Sequence, residues 1–164
     1  MSSVRLLAGL LAFGERDLRA ATDALPMETV HWAPPGTANP IGATWLHVLA
    51  VQDWGIHLMQ QRPSIWDREG WSERLGTGAP LRQDAARARA LRVDPAAVRA
   101  YADSVFAATR AFLAGLTDED LNRIVASPER QMSIGEGLQL LAYHLAQHVG
   151  ELLALRGILA TERR

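Results

Sequence analysis

Between Ser133 and Leu159 the apolar residues Ile134, Leu138, Leu141, Leu145, Leu152, Leu155 and Leu159 recur at steps of three and four, broken by one longer gap. That period lays one stripe along a helix and does not match the two-residue alternation of a half-buried strand. The gap is filled by His148, and His144 lies one helical turn earlier. Both rings therefore project from nearly the same face, toward a leucine-lined interior.

A ring nitrogen taken out of water without a partner loses roughly 1 to 3 kcal/mol, so something must satisfy each of these imidazoles. Two readings stay open at this point. The pair can be ordinary core histidines bonded to carbonyls or carboxylates, or neutral imidazoles whose lone pairs converge on a divalent metal.

Earlier segments read as helices too. Val4, Leu7, Leu11, Leu18, Ala21 and Leu25 predict an amphipathic helix over residues 2 to 24, stopped by Pro26. Met27 to Pro40 carries prolines and glycine too closely set for a helix and reads as an extended loop, with His31 in a surface or packing role. Asn39 followed by Pro40 predicts a helix start, with asparagine as the cap, and the helix runs to about Gln61 before Pro63. One face of it carries His47, Val51, Trp54 and Leu58, whereas His57, about 80° round, is expected at an exposed rim.

Residues 62 to 93 read as an irregular stretch followed by a short surface helix, Asp84 to Arg92, whose arginines point to water. Asp94 and Pro95 open a third long helix that ends near Gly115. A capped acidic turn, Thr117 to Asp120, and a connection from Asn122 to Pro128 follow, and Ser133 with Glu136 forms a capping box for the fourth helix. With no convincing strand, the expected fold is all-α: a four-helix bundle with a long crossover between the second and third long helices. Leucines buried along its seam would each contribute roughly 1.5 to 3 kcal/mol.

Composition narrows the functional classes. At 164 residues the chain is expected to form one domain, residues 1–164, with a core large enough to need no covalent staples. A formal net charge of -1 argues against nucleic acid or an anionic membrane as the main partner. Without cysteine there is no disulfide, thiolate ligand or thiol nucleophile, and without lysine there is no Schiff-base chemistry. The apolar run after Arg5 is short and passes into Glu15, Arg16 and Asp17 without a cleavage-like site, and no apolar stretch approaches 18 residues. A cytoplasmic location is expected.

If the second and fourth long helices pack side by side, His47, His144 and His148 can meet at one depth, leaving metal coordination positions open for water or substrate. The segments WAPPGTANPIGATWLH, Trp32 to His47, and MSIGEGLQLLAYHLAQHVGELLALRG, Met132 to Gly157, resemble the DinB-like superfamily of four-helix-bundle proteins. Members share a histidine on the second helix and an H-x-x-x-H pair on the fourth, matching His47, His144 and His148. The resemblance implies a divalent metal ion (zinc, nickel or iron), a small-molecule substrate and a homodimer. It also implies, for some members, S-transfer or isomerisation with a low-molecular-weight thiol such as bacillithiol or mycothiol.

Three chemistries follow. A thiol-dependent transferase would use the metal to lower the pKa of an external thiol. A hydrolase would use metal-activated water and a general base; the HLAQH pair lacks the glutamate of HExxH, since Gln147 cannot take a proton, which leaves Glu151 as the candidate. In a non-enzymatic binding or stress-response protein the metal would be structural. Trp54 can wall a pocket or pack the core. No phosphate loop or nucleophile elbow is present: Gly76-Thr77-Gly78 has neither the length nor the lysine of the first.

Overall fold

The computed structural model describes residues 2–80, 82, 84–126 and 131–162, and helix dominates it. The chain runs α1 (Ser3–Thr22), α2 (Met27–Val30), α3 (Ile41–Met59), α4 (Ile65–Arg68), α5 (Trp71–Leu75), α6 (Ala85–Ala90), α7 (Pro95–Ala114), a 3-10 turn (Asp120–Asn122), β1 (Ile124–Ala126), β2 (Gln131–Ser133) and α8 (Ile134–Glu162).

Helix ends follow local chemistry. Ser2 accepts from the Arg5 amide and Asp94 from the Ala96 amide, each using a side-chain oxygen on a free N–H of the first turn. The Ser133 hydroxyl takes the Glu136 amide at 3.1 Å while the Glu136 carboxylate takes the Ser133 amide at 2.7 Å, completing the reciprocal box. At α3 the expected cap is displaced by one residue. Pro40 is the N-cap, with no side-chain capping bond, and Asn39 is buried just outside. The C-terminal end of α3 closes through Gln61, at φ 53°, before Pro63 bars continuation.

Several stretches expected to be irregular are ordered. Residues 27–30 form one helical turn before the Pro34-Pro35 pair, and the first half of the crossover winds into α4 and α5. At α4, beside the Ser64 cap, the anchor is Asp53, whose carboxylate is buried and accepts the Ile65 and Trp66 amides at 2.9 Å each and the Tyr101 hydroxyl at 2.8 Å. One carboxylate thus satisfies the start of α4 and ties it to α7. Nor do all crossover arginines simply face water: Arg89 donates to the carbonyls of Pro34, Gly36 and Ala38, pinning the preceding loop, and Arg87 donates to Gly78. The strands β1 and β2 pair antiparallel, Val125 opposite Met132, where no strand was expected; Pro128, the far end of the expected connection, lies outside the described residues.

Packing centres on two helices. α8 lies against both α1 and α3, α7 covers another side of α3, and α1 and α7 touch only lightly. Gly14 of α1 faces Leu145, where a Cβ would come within 2.5 Å of the leucine side chain, so the missing side chain sets how closely α1 approaches α8. Of the 19 residues of α3, all but Val51, Trp54 and Leu58 are buried. Among the described residues no helix is long and apolar enough to cross a membrane.

Candidate metal centre

The long antiparallel contact of α3 with α8 brings His47, six residues into α3, beside His144 and His148. Ring centroids are 5.1 Å apart for His47 and His144, 5.2 Å for His47 and His148 and 4.5 Å for His144 and His148. One nitrogen from each ring lies within 4.8 Å of the other two. His47 and His148 are 7% and 8% exposed, and His144 is half-buried at the mouth.

Hydrogen bonds on the outer nitrogens decide what the inner ones offer. His47 Nδ1 lies 2.5 Å from the Pro80 carbonyl, which can only accept, so the proton sits on Nδ1 and the neutral ring turns an Nε2 lone pair inward. His148 Nδ1 lies 2.7 Å from Glu151, which sets the same tautomer. Glu151 also accepts from the Thr44 hydroxyl at 3.2 Å, so α3 and α8 orient it together. His144 Nε2 stands 3.2 Å from His47 Nε2. No other partner among the described residues fixes the His144 tautomer, so in the metal-free protein its Nε2–H can donate to the His47 lone pair; in place of that proton, metal–nitrogen bonds of about 2.0–2.1 Å in a tetrahedron would put the nitrogens about 3.3 Å apart, nearly the spacing seen. The donor set and its spacing fit a divalent ion.

Electrostatics agree. Burial, reinforced by the neighbouring His148 and His47 rings, pushes the His144 pKa down to about 4. Burial lowers His47 as well, opposed by its bond to Pro80. Glu151 is held below the usual glutamate range, chiefly by its hydrogen bond to His148. Two of the imidazoles are thus biased toward the neutral form that binds metal, beside an ionised carboxylate.

A model of the DinB superfamily matches residues 10–152. The chain belongs to the DinB superfamily. As a DinB-superfamily protein it carries its histidine cluster on α3 and α8, both within the matched region save for the last residues of α8. A crystal structure described as that of a conserved protein from Enterococcus faecalis superposes with a TM-score of 0.81 at 13% identity, covering 95% of this chain and 96% of that one. That likeness is one of fold. No curated protein matches the sequence.

Other residues singled out in the sequence are placed differently. His57 is 1% exposed and not at a rim; its Nδ1 lies 2.8 Å from both the backbone carbonyl and a carboxylate oxygen of Asp53, and its Nε2 is enclosed without a partner among the described residues. The helical wheel failed there because α3 is covered on nearly every side. Trp54 is 39% exposed, so it neither packs the core nor shares the burial of His47. His31 has the packing role expected of it, its Nε2 lying 3.0 Å from Val93. Thr44 and Pro80 went unnoticed. Thr44 precedes His47 by one turn and could have been flagged by position, but nothing local marks the Pro80 carbonyl.

Proposed function

We propose that this DinB-superfamily chain is one four-helix-bundle domain, with the segment between α3 and α7 as its crossover, and that it binds a divalent ion through Nε2 of His47, His144 and His148. We propose further that it acts as a thiol-dependent S-transferase on a small electrophile. The observation that carries the reading is the donor set itself: three imidazoles and no anionic ligand in the cluster among the described residues. A dication so held would keep its full charge, supplying the Lewis acidity that lowers the pKa of an incoming thiol. As the chain has no cysteine, the thiol comes from outside, and bacillithiol and mycothiol are the class proposed.

The protein's own residues do the positioning. Pro80 and Glu151 hold two rings in the metal-binding tautomer, and His144, without such a clamp in the described structure, sits at the open side. Glu151 accepts from His148 and Thr44, one bond on each oxygen, and its part in this reading is to orient His148; in the hydrolase alternative the same carboxylate would be the general base. A non-enzymatic role remains the competing outcome. Purified, metal-loaded protein should accelerate conjugation of monobromobimane to one of these thiols, and His144→Ala should return the rate to background. No acceleration with any cellular thiol, in protein shown to hold metal, would overturn the transferase reading and leave the metal site standing.

The proposal includes a cytoplasmic setting, where such thiols are kept reduced, and a homodimer. Exposed Leu6, Leu10 and Phe13 on α1 and Tyr143 on α8 offer the apolar surface for the latter.

A further inference from the structure

Two buried side-chain nitrogens lack a hydrogen-bond partner among the described residues, His57 Nε2 and Arg99 Nη1. The first is enclosed in the core, but Arg99 lines an open-mouthed cleft of about 290 Å³ formed by the last turns of α1 and the first half of α7. Leu18, Trp45, Ala102 and Phe106, all buried, give this cleft its apolar lining. Its volume suits a ligand at the small end of the range for such sites.

Arg99 is half-buried, and its guanidinium makes no hydrogen bond or ion pair among the described residues. A cation withdrawn from water in that way is destabilising until an acceptor meets it. The carbonyls that close α1 are engaged elsewhere: Leu18 takes the Thr22 hydroxyl, Arg19 takes the Asp23 amide, and Ala20 and Ala21 take Arg156 Nη1. Arg19, the other cation lining the cleft, is already paired with Glu15 at 3.1 Å and Asp103 at 2.8 Å.

One charge of opposite sign is left over as well. Asp23, exposed at the end of α1, lines the same cleft, and its carboxylate forms no hydrogen bond or ion pair with Arg99 or any other described residue. Beside it, the Thr22 hydroxyl donates to Leu18, which leaves its oxygen able to accept. A simple anion in the cleft would answer Arg99 and face Asp23 unfavourably, and a simple cation would do the reverse. We infer that the cleft is a second ligand site, distinct from the histidine cluster, for a small zwitterion with an apolar body, an α-amino acid whose carboxylate meets Arg99 and whose ammonium meets Asp23 and Thr22. Trp45 is about 160° round α3 from His47, which places the two sites on opposite sides of that helix.

Calorimetric titration of the full chain with L-phenylalanine, L-leucine, 3-phenylpropionate and 2-phenylethylamine tests this. At least one of the two amino acids should bind saturably. Against L-phenylalanine, 3-phenylpropionate should bind about two- to fivefold more weakly, since Asp23 is exposed, and 2-phenylethylamine about tenfold more weakly or worse, since it leaves Arg99 unmet. Arg99→Met, which keeps the stem and removes the charge, should weaken amino-acid binding about tenfold or more while the Tm of the ligand-free protein stays level or rises. Asp23→Asn should bring L-phenylalanine down to the affinity of 3-phenylpropionate, and His144→Ala should bind as the wild type does. No saturable binding of either amino acid, equal or tighter binding of a one-ended analogue, a fall in Tm in Arg99→Met that marks an internal role for the charge, or loss of binding in His144→Ala would each overturn the inference.

Discussion

His47 Nδ1 donates to the Pro80 carbonyl across 2.5 Å, so a residue of the crossover fixes the proton position of a ring on α3. The inner nitrogen is thereby left as a lone pair facing His144 and His148, and metal affinity depends on a loop 33 residues away in sequence.

Metal should stabilise the fold measurably. At a free Zn(II) or Ni(II) concentration about 100 times Kd, mass action adds about 2.7 kcal/mol. For a chain of this size that raises Tm by roughly 5–10 °C. Differential scanning fluorimetry should show the rise in wild type, its reversal by chelator and its absence in His144→Ala; equal shifts in the variant would count against the three-histidine site.

Glu151→Gln should weaken metal binding by roughly 10- to 100-fold, because the carboxylate that orients His148 and raises its basicity is lost. Thr44→Val, which removes only the hydroxyl that steadies Glu151, should have a smaller effect in the same direction. Competition titration against a chromophoric chelator measures both, and unchanged affinity in Glu151→Gln would rule out a role for that carboxylate.

The metal-free protein should lose stability on acidification. The unfolded chain takes up a proton at His144 near its ordinary value of 6.5, whereas the folded chain resists until about pH 4. Between those values the unfolded state holds more protons, so stability falls as pH falls through the window, and above about 6.5 the group contributes no pH dependence. Urea midpoints at pH 7 and pH 5 should differ in that direction, and His144→Ala should flatten the difference.

Asp53→Asn should destabilise by about 3 kcal/mol or more, since the charge that two amides and a tyrosine hydroxyl point at is replaced by a group with hydrogens of its own. Chemical denaturation should show the loss. Tyr101→Phe, removing one donor, should cost about 1 kcal/mol.

The proposed dimer should come apart when its apolar surface is charged. Phe13→Glu with Tyr143→Glu, both on exposed positions, should shift sedimentation velocity from dimer to monomer while leaving the helical circular dichroism spectrum unchanged. A wild type that sediments as a monomer at micromolar concentration would remove the dimer from the proposal.

The long helices could be read from sequence because their signals are local: leucine spacing, proline stops, the Asp94 cap, and the Ser133 and Glu136 box. The convergence of His47 with His144 and His148 was also accessible, as one turn separates two of them and a single helix contact supplies the third. Burial on α3 was not. A moment argument assumes one wet side, and α3 has almost none, so His57 went inward and the line through Val51, Trp54 and Leu58 became its most exposed face. The turns α4 and α5 were missed because they are only four and five residues long: Ser64 caps α4 locally, but the further anchor of α4, Asp53, lies twelve residues before Ile65, and no local pattern announces a partner at that distance.

The near-total enclosure of α3 bears on how such a scaffold can change its chemistry. A random library should find that helix the least forgiving stretch, since almost any exchange there disturbs several neighbours at once. New specificities are then more readily reached through the crossover and the open side of α8, which can be rewritten while the inner rod and its His47 stay as they are.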